Sequence, residues 1–157
     1  MKAVVQRVLS ATVTVGGELV GRTHNSKTGD THGLLILVGV ANGDKEKDSL
    51  YLANKIANLR IFEDEEGKMN KSVLDVEGSA LVISQFTLLA NWRDGRRPGF
   101  SDAAPAKAAE QLYLHFTEQL RGEGLTVDTG QFGASMNVAL TNHGPVTLIL
   151  DSRDGSK

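Results

Sequence analysis

Cysteine is absent from the 157 residues. That excludes a disulfide framework, a thiolate nucleophile and any thiolate metal site. No apolar run approaches the roughly 18 residues that a membrane span needs. The opening residues alternate apolar and polar, where a signal peptide would be continuously apolar. A cytoplasmic protein without membrane association is the expectation. Charge of one sign is not in excess either: the formal net charge is -2. Coating of nucleic acid by bulk electrostatics is therefore excluded, although a local basic patch is not.

Familiar catalytic signatures are equally scarce. Gly-x-Ser-x-Gly, a Walker-type phosphate loop and Gly-x-Gly-x-x-Gly are all missing. The histidines His24, His32, His115 and His143 are scattered, with no pair at i,i+4 on a helix, so no zinc site is expected. His24 and His32 read as solvated loop residues and His115 as a helix boundary residue. No metal or cofactor is called for.

What is present reads as a globular chain, 40% apolar and 23% charged, long enough to bury about two thirds of its unfolded surface. Val4, Val8 and the alternating Thr12-Val13-Thr14-Val15 predict a strand that turns at Gly16-Gly17 into a returning strand. The stretch from Arg22 to His32 reads as a long polar loop. Residues 33–40 and 79–86 are apolar runs suited to strands buried on both faces. Asp44 is placed to cap a helix carrying Leu52, Ile56 and Leu59. Ser101 or Asp102 is placed to cap a second one, with Pro105 in its first turn, Ala109, Leu112, Phe116 and Leu120 on one face, and Gly122 at its close. Residues 125–128, 137–141 and 146–150 complete the strands. Grouped strands with two main helices predict an α+β fold with a mixed or antiparallel, barrel-like sheet. One compact domain is expected over residues 1–150, with a polar tail at 151–157 that frays.

Two short segments stand out. Ser84-Gln85-Phe86-Thr87-Leu88 ends a buried strand and runs into a loop holding Arg93, Arg96 and Arg97, opposed only by Asp94. Its polar side chains suit either satisfaction of sheet-edge backbone groups or a site on a rigid support. The arginines suit either a solvated loop or a phosphate contact. In Asn142-His143-Gly144-Pro145-Val146-Thr147 the proline marks a break or turn between strands. The Gly-Pro bond suits an ordinary turn or a cis peptide.

Together the two segments resemble the paired motifs Ser-Gln-Phe-Thr-Leu and Asn-x-Gly-Pro-Val-Thr of the D-aminoacyl-tRNA deacylases, and both stand here without substitution. The likeness extends over nearly the whole chain. It takes in residues 1–8 and 33–40, Lys55-Ile56, Leu59-Arg60, Arg96-Arg97-Pro98, Phe132-Gly133-Ala134 and Met136.

The resemblance implies a carboxylic ester hydrolase that releases a D-amino acid, or glycine from mischarged tRNA(Ala), from the terminal adenosine. It implies a symmetric homodimer in which a cis Gly144-Pro145 enters the partner's site and rejects L-amino acids with its backbone. Arg7 would hold that dipeptide, and the amides of Gln85 and Phe86 would face the scissile carbonyl. Ser84 and Thr87 would shape the turn or bind substrate, alongside Asn142, Thr147 and Met136. Arg93, Arg96 and Arg97 would meet tRNA phosphates. Neither motif carries a base for Thr87 apart from the variable His143, so the vicinal 2′-hydroxyl of the tRNA is the expected catalytic hydroxyl. The sequence departs from the family at His143, where Asp is common, at Gly99, where Ser is frequent, and in the longer loop from Arg22 to His32. Two rivals stand beside this reading: the sister deacylase acting on L-alanyl-tRNA(Thr), and a non-catalytic RNA-binding protein.

Overall fold

A computed structural model describes residues 1–24 and 32–155. Most of the predicted polar loop from Arg22 to His32 therefore lies outside the described residues. Alternation at the start of the chain produces one long strand, β1 (Lys2–Val15), whose inward residues Ala3, Val5, Val8, Ala11 and Val13 are buried. β2 (Glu18–Arg22) returns antiparallel to it after the Gly16-Gly17 turn, where both glycines have positive φ.

β3 (Gly33–Gly39) pairs with the first half of β1, antiparallel. β6 (Ser79–Ser84) then runs parallel to β3, and β7 (Thr126–Thr129) parallel to β6. The last strand, β8 (Asn137–Asp151), covers the other edge of β1 along most of its length. The sheet order is β2-β1-β3-β6-β7 with β8 on β1. It curls until the Arg22 amide donates to Asp128 at the end of β7 (3.0 Å), which nearly closes a barrel. A small hairpin, β4 (Phe62–Glu63) with β5 (Met69–Lys71), stands apart from this sheet.

Both apolar runs, β3 and β6, are buried on two faces as their composition predicts. One face carries α1 (Glu46–Ala57) and α2 (Ala106–Gly122). Leu52 and Ile56 of α1 and Phe116 and Leu120 of α2 are fully buried against Val5, Leu34, Ile36 and Val82. Each such side chain contributes roughly 1.5–3 kcal/mol by leaving water. The other face closes on a smaller cluster of Val8, Ala11, Val13, Leu35, Leu81 and Ile83. Between the helices, Ser49 Oγ meets His115 Nδ1 at 2.6 Å, so His115 is a packing contact of the helix pair.

The helix ends depart from prediction. Asp44 does not cap α1. Its carboxylate accepts from the Ala41 amide (2.6 Å) and pairs with the Met1 ammonium (2.8 Å), and α1 starts from Lys45, whose amide donates to Asp48 (2.9 Å). Burial pushes the Asp48 carboxyl up, but that hydrogen bond, another from the Ser152 hydroxyl and the nearby Met1 ammonium together hold it below its ordinary range. Neither Ser101 nor Asp102 caps α2, which begins after Pro105. Gly122 belongs to the helix, and Gly124 supplies the positive φ beyond it. The tail was expected to fray, yet within its described residues 151–155 Ser152 is buried, with its hydroxyl accepting from the Met1 ammonium (2.7 Å) and donating to Asp48 (2.8 Å).

Candidate active site

The first polar segment ends β6 and turns at once into a short 3-10 helix, Phe86–Leu89. That turn can sit tightly on β3 because Gly39 has no side chain. A Cβ there would collide with Leu89 Cδ2 and stand 2.9 Å from the Gln85 carbonyl oxygen. Beside the turn lies a pocket of about 460 Å³. Ser84, Gln85 and Phe86 form one wall and the segment Phe132, Gly133, Ala134 and Met136 another. Ala106, Ala109 and Tyr113 of α2 close it from the helix side.

Its interior is largely apolar. Burial pushes the Tyr113 phenol well above its ordinary range, so the hydroxyl stays neutral and donates to the Val82 carbonyl (2.8 Å). Phe86 and Phe100 meet edge to face at the rim, with ring centroids 5.0 Å apart. The lining by α2 was not foreseen from the sequence. Its one signal, small alanines in the first turns of a helix, is common in helices that bind nothing.

One detail of the expected amide pair changes. The Gln85 amide donates to the Val38 carbonyl at 2.7 Å, extending the parallel β3–β6 ladder one residue past β6. It is therefore unavailable to a substrate. The Phe86 amide has no acceptor among the described residues. The Thr87 hydroxyl accepts from the Gln85 side-chain amide, and no histidine, lysine or carboxylate bonds to it among the described residues.

The second segment also departs from expectation. Pro145 does not separate two strands; β8 is continuous and throws out an excursion. Gln6 pairs with Thr147 and Val8 with Asn142, so residues 143–146 stand opposite the single residue Arg7. Asn142 closes the base, accepting from the Val146 amide (2.9 Å) and donating to the Val146 carbonyl and the Thr147 hydroxyl (both 3.2 Å). Val146 is buried in the main core, which anchors the excursion from within. At its tip Gly144 and Pro145 are exposed, Gly144 has φ +127°, and the peptide bond between them is cis.

Arg7 lies beneath this tip, only 2% exposed. Its guanidinium donates to the His143 carbonyl (3.0 Å) and the Ile61 carbonyl (2.8 Å), with Glu63 at 3.5 Å. A buried charge held by fixed carbonyls sets the position of the excursion. Residues 142–147 do not line the pocket of their own chain, so the structure does not bring the two motifs together within one protomer.

The basic loop follows the 3-10 turn and returns at Phe100, which packs on Phe86. Asn91 and Gly99 exchange two backbone hydrogen bonds (2.8 Å each), and the Arg93 amide donates to the Asn91 side chain (3.1 Å). Arg96 and Arg97 are exposed at its tip. The Arg93 guanidinium lies 5.3 Å from the centre of the Trp92 ring. No helix is long and apolar enough to cross a membrane among the described residues.

A family model described as D-Tyr-tRNA(Tyr) deacylase matches residues 4–151. The D-aminoacyl-tRNA deacylase of Bacillus thuringiensis (strain Al Hakam) is 57% identical over 153 residues, covering 98% of this chain and 100% of the relative. That of Bacillus anthracis (strain CDC 684 / NRRL 3495) gives the same figures. A solved structure described as "c-Myc DNA Unwinding Element Binding Protein" is 43% identical, with a TM-score of 0.85 over 96% of this chain and 98% of the other. A second, described as "a probable eukaryotic D-amino acid tRNA deacylase", superposes with a TM-score of 0.73 over the same shares at 16% identity, a likeness of fold alone.

Proposed function

The chain belongs to the D-Tyr-tRNA(Tyr) deacylase family, and on that premise we propose how its two motifs act together as one site. The activity is hydrolysis of the ester that joins a D-amino acid to tRNA. The pocket beside β6 receives the aminoacylated 3′ end. Gly144 and Pro145 of one protomer reach into the pocket of its partner. The observation that carries this reading is the placement of the two motifs: an exposed Gly-Pro tip held by buried Arg7, outside the pocket of its own chain.

A contact of this kind is reciprocal, so it requires a twofold-symmetric homodimer. The dipeptide's carbonyl oxygens face the α-ammonium of the substrate. An L side chain collides with this fixed backbone, whereas a D side chain or the hydrogen of glycine points away. Rejection by collision needs no recognition of the accepted side chain. Glycine on mischarged tRNA(Ala) is therefore accepted together with many D-amino acids.

The Phe86 amide faces the carbonyl oxygen as negative charge develops on it, a contribution of about 3 kcal/mol for one oxyanion donor. Ser84 and the bond from Gln85 to Thr87 hold the turn in shape. Thr87 is not the nucleophile, because no base accompanies it. The ribose 2′-hydroxyl beside the ester orients or activates water, and the protein contributes positioning. Met136 shapes the pocket wall, Asn142 and Thr147 fix the excursion, and Arg93, Arg96 and Arg97 draw in the acceptor-end phosphates.

The discriminating experiment incubates the protein with D-tyrosyl-, L-tyrosyl- and L-alanyl-tRNA and follows ester loss. The expected outcome is rapid loss of the D ester alone. Loss of the L-alanyl ester would transfer the protein to the sister activity, and inertness toward all three would leave an RNA-binding protein.

A further inference from the structure

We propose that Trp92 is a stacking platform for the unpaired nucleotide preceding the terminal adenosine of the tRNA, an inference that rests on the deacylase reading above. Trp92 is 69% exposed, more than any other aromatic side chain among the described residues. It is not a stray surface residue. It lies one residue beyond the Asn91–Gly99 rung, while Phe100, one residue back on the returning strand, packs on Phe86 at the pocket rim. The indole is thereby attached to the wall of the site that holds the terminal nucleotide.

Its surroundings match single-stranded nucleic acid. Arg93 sits over the ring at 5.3 Å, and Arg96 and Arg97 follow in the same loop. An exposed aromatic plane beside guanidinium groups is how proteins hold unpaired bases without reading their identity, the ring taking the base and the cations the backbone. Trp92 stands at the base of this loop, next to the rung, with Arg96 and Arg97 farther out toward its tip. Arg96 and Arg97 carry a phosphate-binding role without Trp92, so the indole has a separate part to play.

Trp92 is the only tryptophan of the chain, so its emission reports the contact directly. The probe is a synthetic RNA hairpin with an unpaired ACCA 3′ end, labelled with 5′ fluorescein so that anisotropy follows binding independently. Indole emission is expected to be quenched as the hairpin binds. An abasic site at the penultimate nucleotide should remove most of that quenching. In steady-state assays Trp92→Ala should raise KM for D-tyrosyl-tRNA about tenfold with kcat unchanged, while Trp92→Phe stays within about twofold of the parent. The abasic substitution should weaken the parent but add nothing to Trp92→Ala.

Unchanged emission during binding that anisotropy detects would overturn the proposal. So would equal quenching by the abasic hairpin, or quenching by raised protein concentration without RNA, which would assign Trp92 to a contact between copies of the chain. If the parent hydrolyses D-tyrosyl-tRNA in the same experiment, such a failure is confined to Trp92 and leaves the deacylase reading standing.

Discussion

Gly144→Ala is expected to lower kcat/KM for D-tyrosyl-tRNA by about 10²-fold, the loss that follows a misplacement of roughly 1 Å in a positioning group. Gly144 has φ +127°, a conformation that costs an L-residue on the order of 1–3 kcal/mol. The added methyl has no room either. It would lie 2.7 Å from Val146 Cγ2, 3.0 Å from the Arg7 guanidinium and 3.1 Å from the Val146 amide nitrogen. Val146 is anchored in the core and Arg7 is buried, so the exposed tip is the part that moves. Because the displacement is confined to the excursion, far-ultraviolet circular dichroism should be unchanged and the melting temperature should fall by only a few degrees. A variant that keeps parental kcat/KM would show that the tip does not touch the substrate.

Arg7→Ala should be the most damaging single change to stability near the site. It strands the carbonyls of His143 and Ile61, both of which accept from a guanidinium only 2% exposed. Two hydrogen bonds to a buried charge together represent about 3–5 kcal/mol. For a chain of this size that corresponds to a fall in melting temperature of roughly 10 °C, read by calorimetry. The ion pair with Glu63 adds little, since it is 3.5 Å long and the Glu63 side chain is 53% exposed. Lysine should not rescue Arg7, because a single ammonium cannot reproduce the forked geometry that serves two carbonyls on different elements. Activity should fall further than stability explains at temperatures where the variant is folded, since the excursion then loses its buried anchor. If Arg7→Ala melts within about 2 °C of the parent, the guanidinium is not holding the excursion.

Much of the fold is legible because burial writes a pattern. Alternation marks β1, and continuous apolar runs mark β3 and β6, which are covered on both faces. Helix termini are less legible, since a capping side chain has other options. Asp44 meets the Met1 ammonium, a partner 43 positions away that no local pattern announces. Pro145 reads as a strand break, yet β8 continues because it pairs with β1 on both sides of the excursion, with the register shifted across it.

The site divides in the same way. The two motifs are visible as residues, but a sequence does not say that the Gln85 amide completes a ladder with Val38. Nor does it say that α2 closes the pocket with Ala106, Ala109 and Tyr113, because that contact depends on how the helix packs across the sheet. Arg7 gains its meaning only from register, which sets it opposite the residues that leave the strand.

The central claim is that the backbone tip of one protomer completes the pocket of the other. It is tested most directly by mixing two crippled proteins, Gly144→Ala with a damaged tip and Ala134→Phe with a filled pocket. Each homodimer should be nearly inert toward D-tyrosyl-tRNA. After subunit exchange, half of the dimers are mixed and each holds one intact pocket facing one intact tip, so roughly a quarter of parental activity should return. If tip and pocket act within one chain, every subunit in the mixture remains defective. No recovery after verified exchange would then contradict the account.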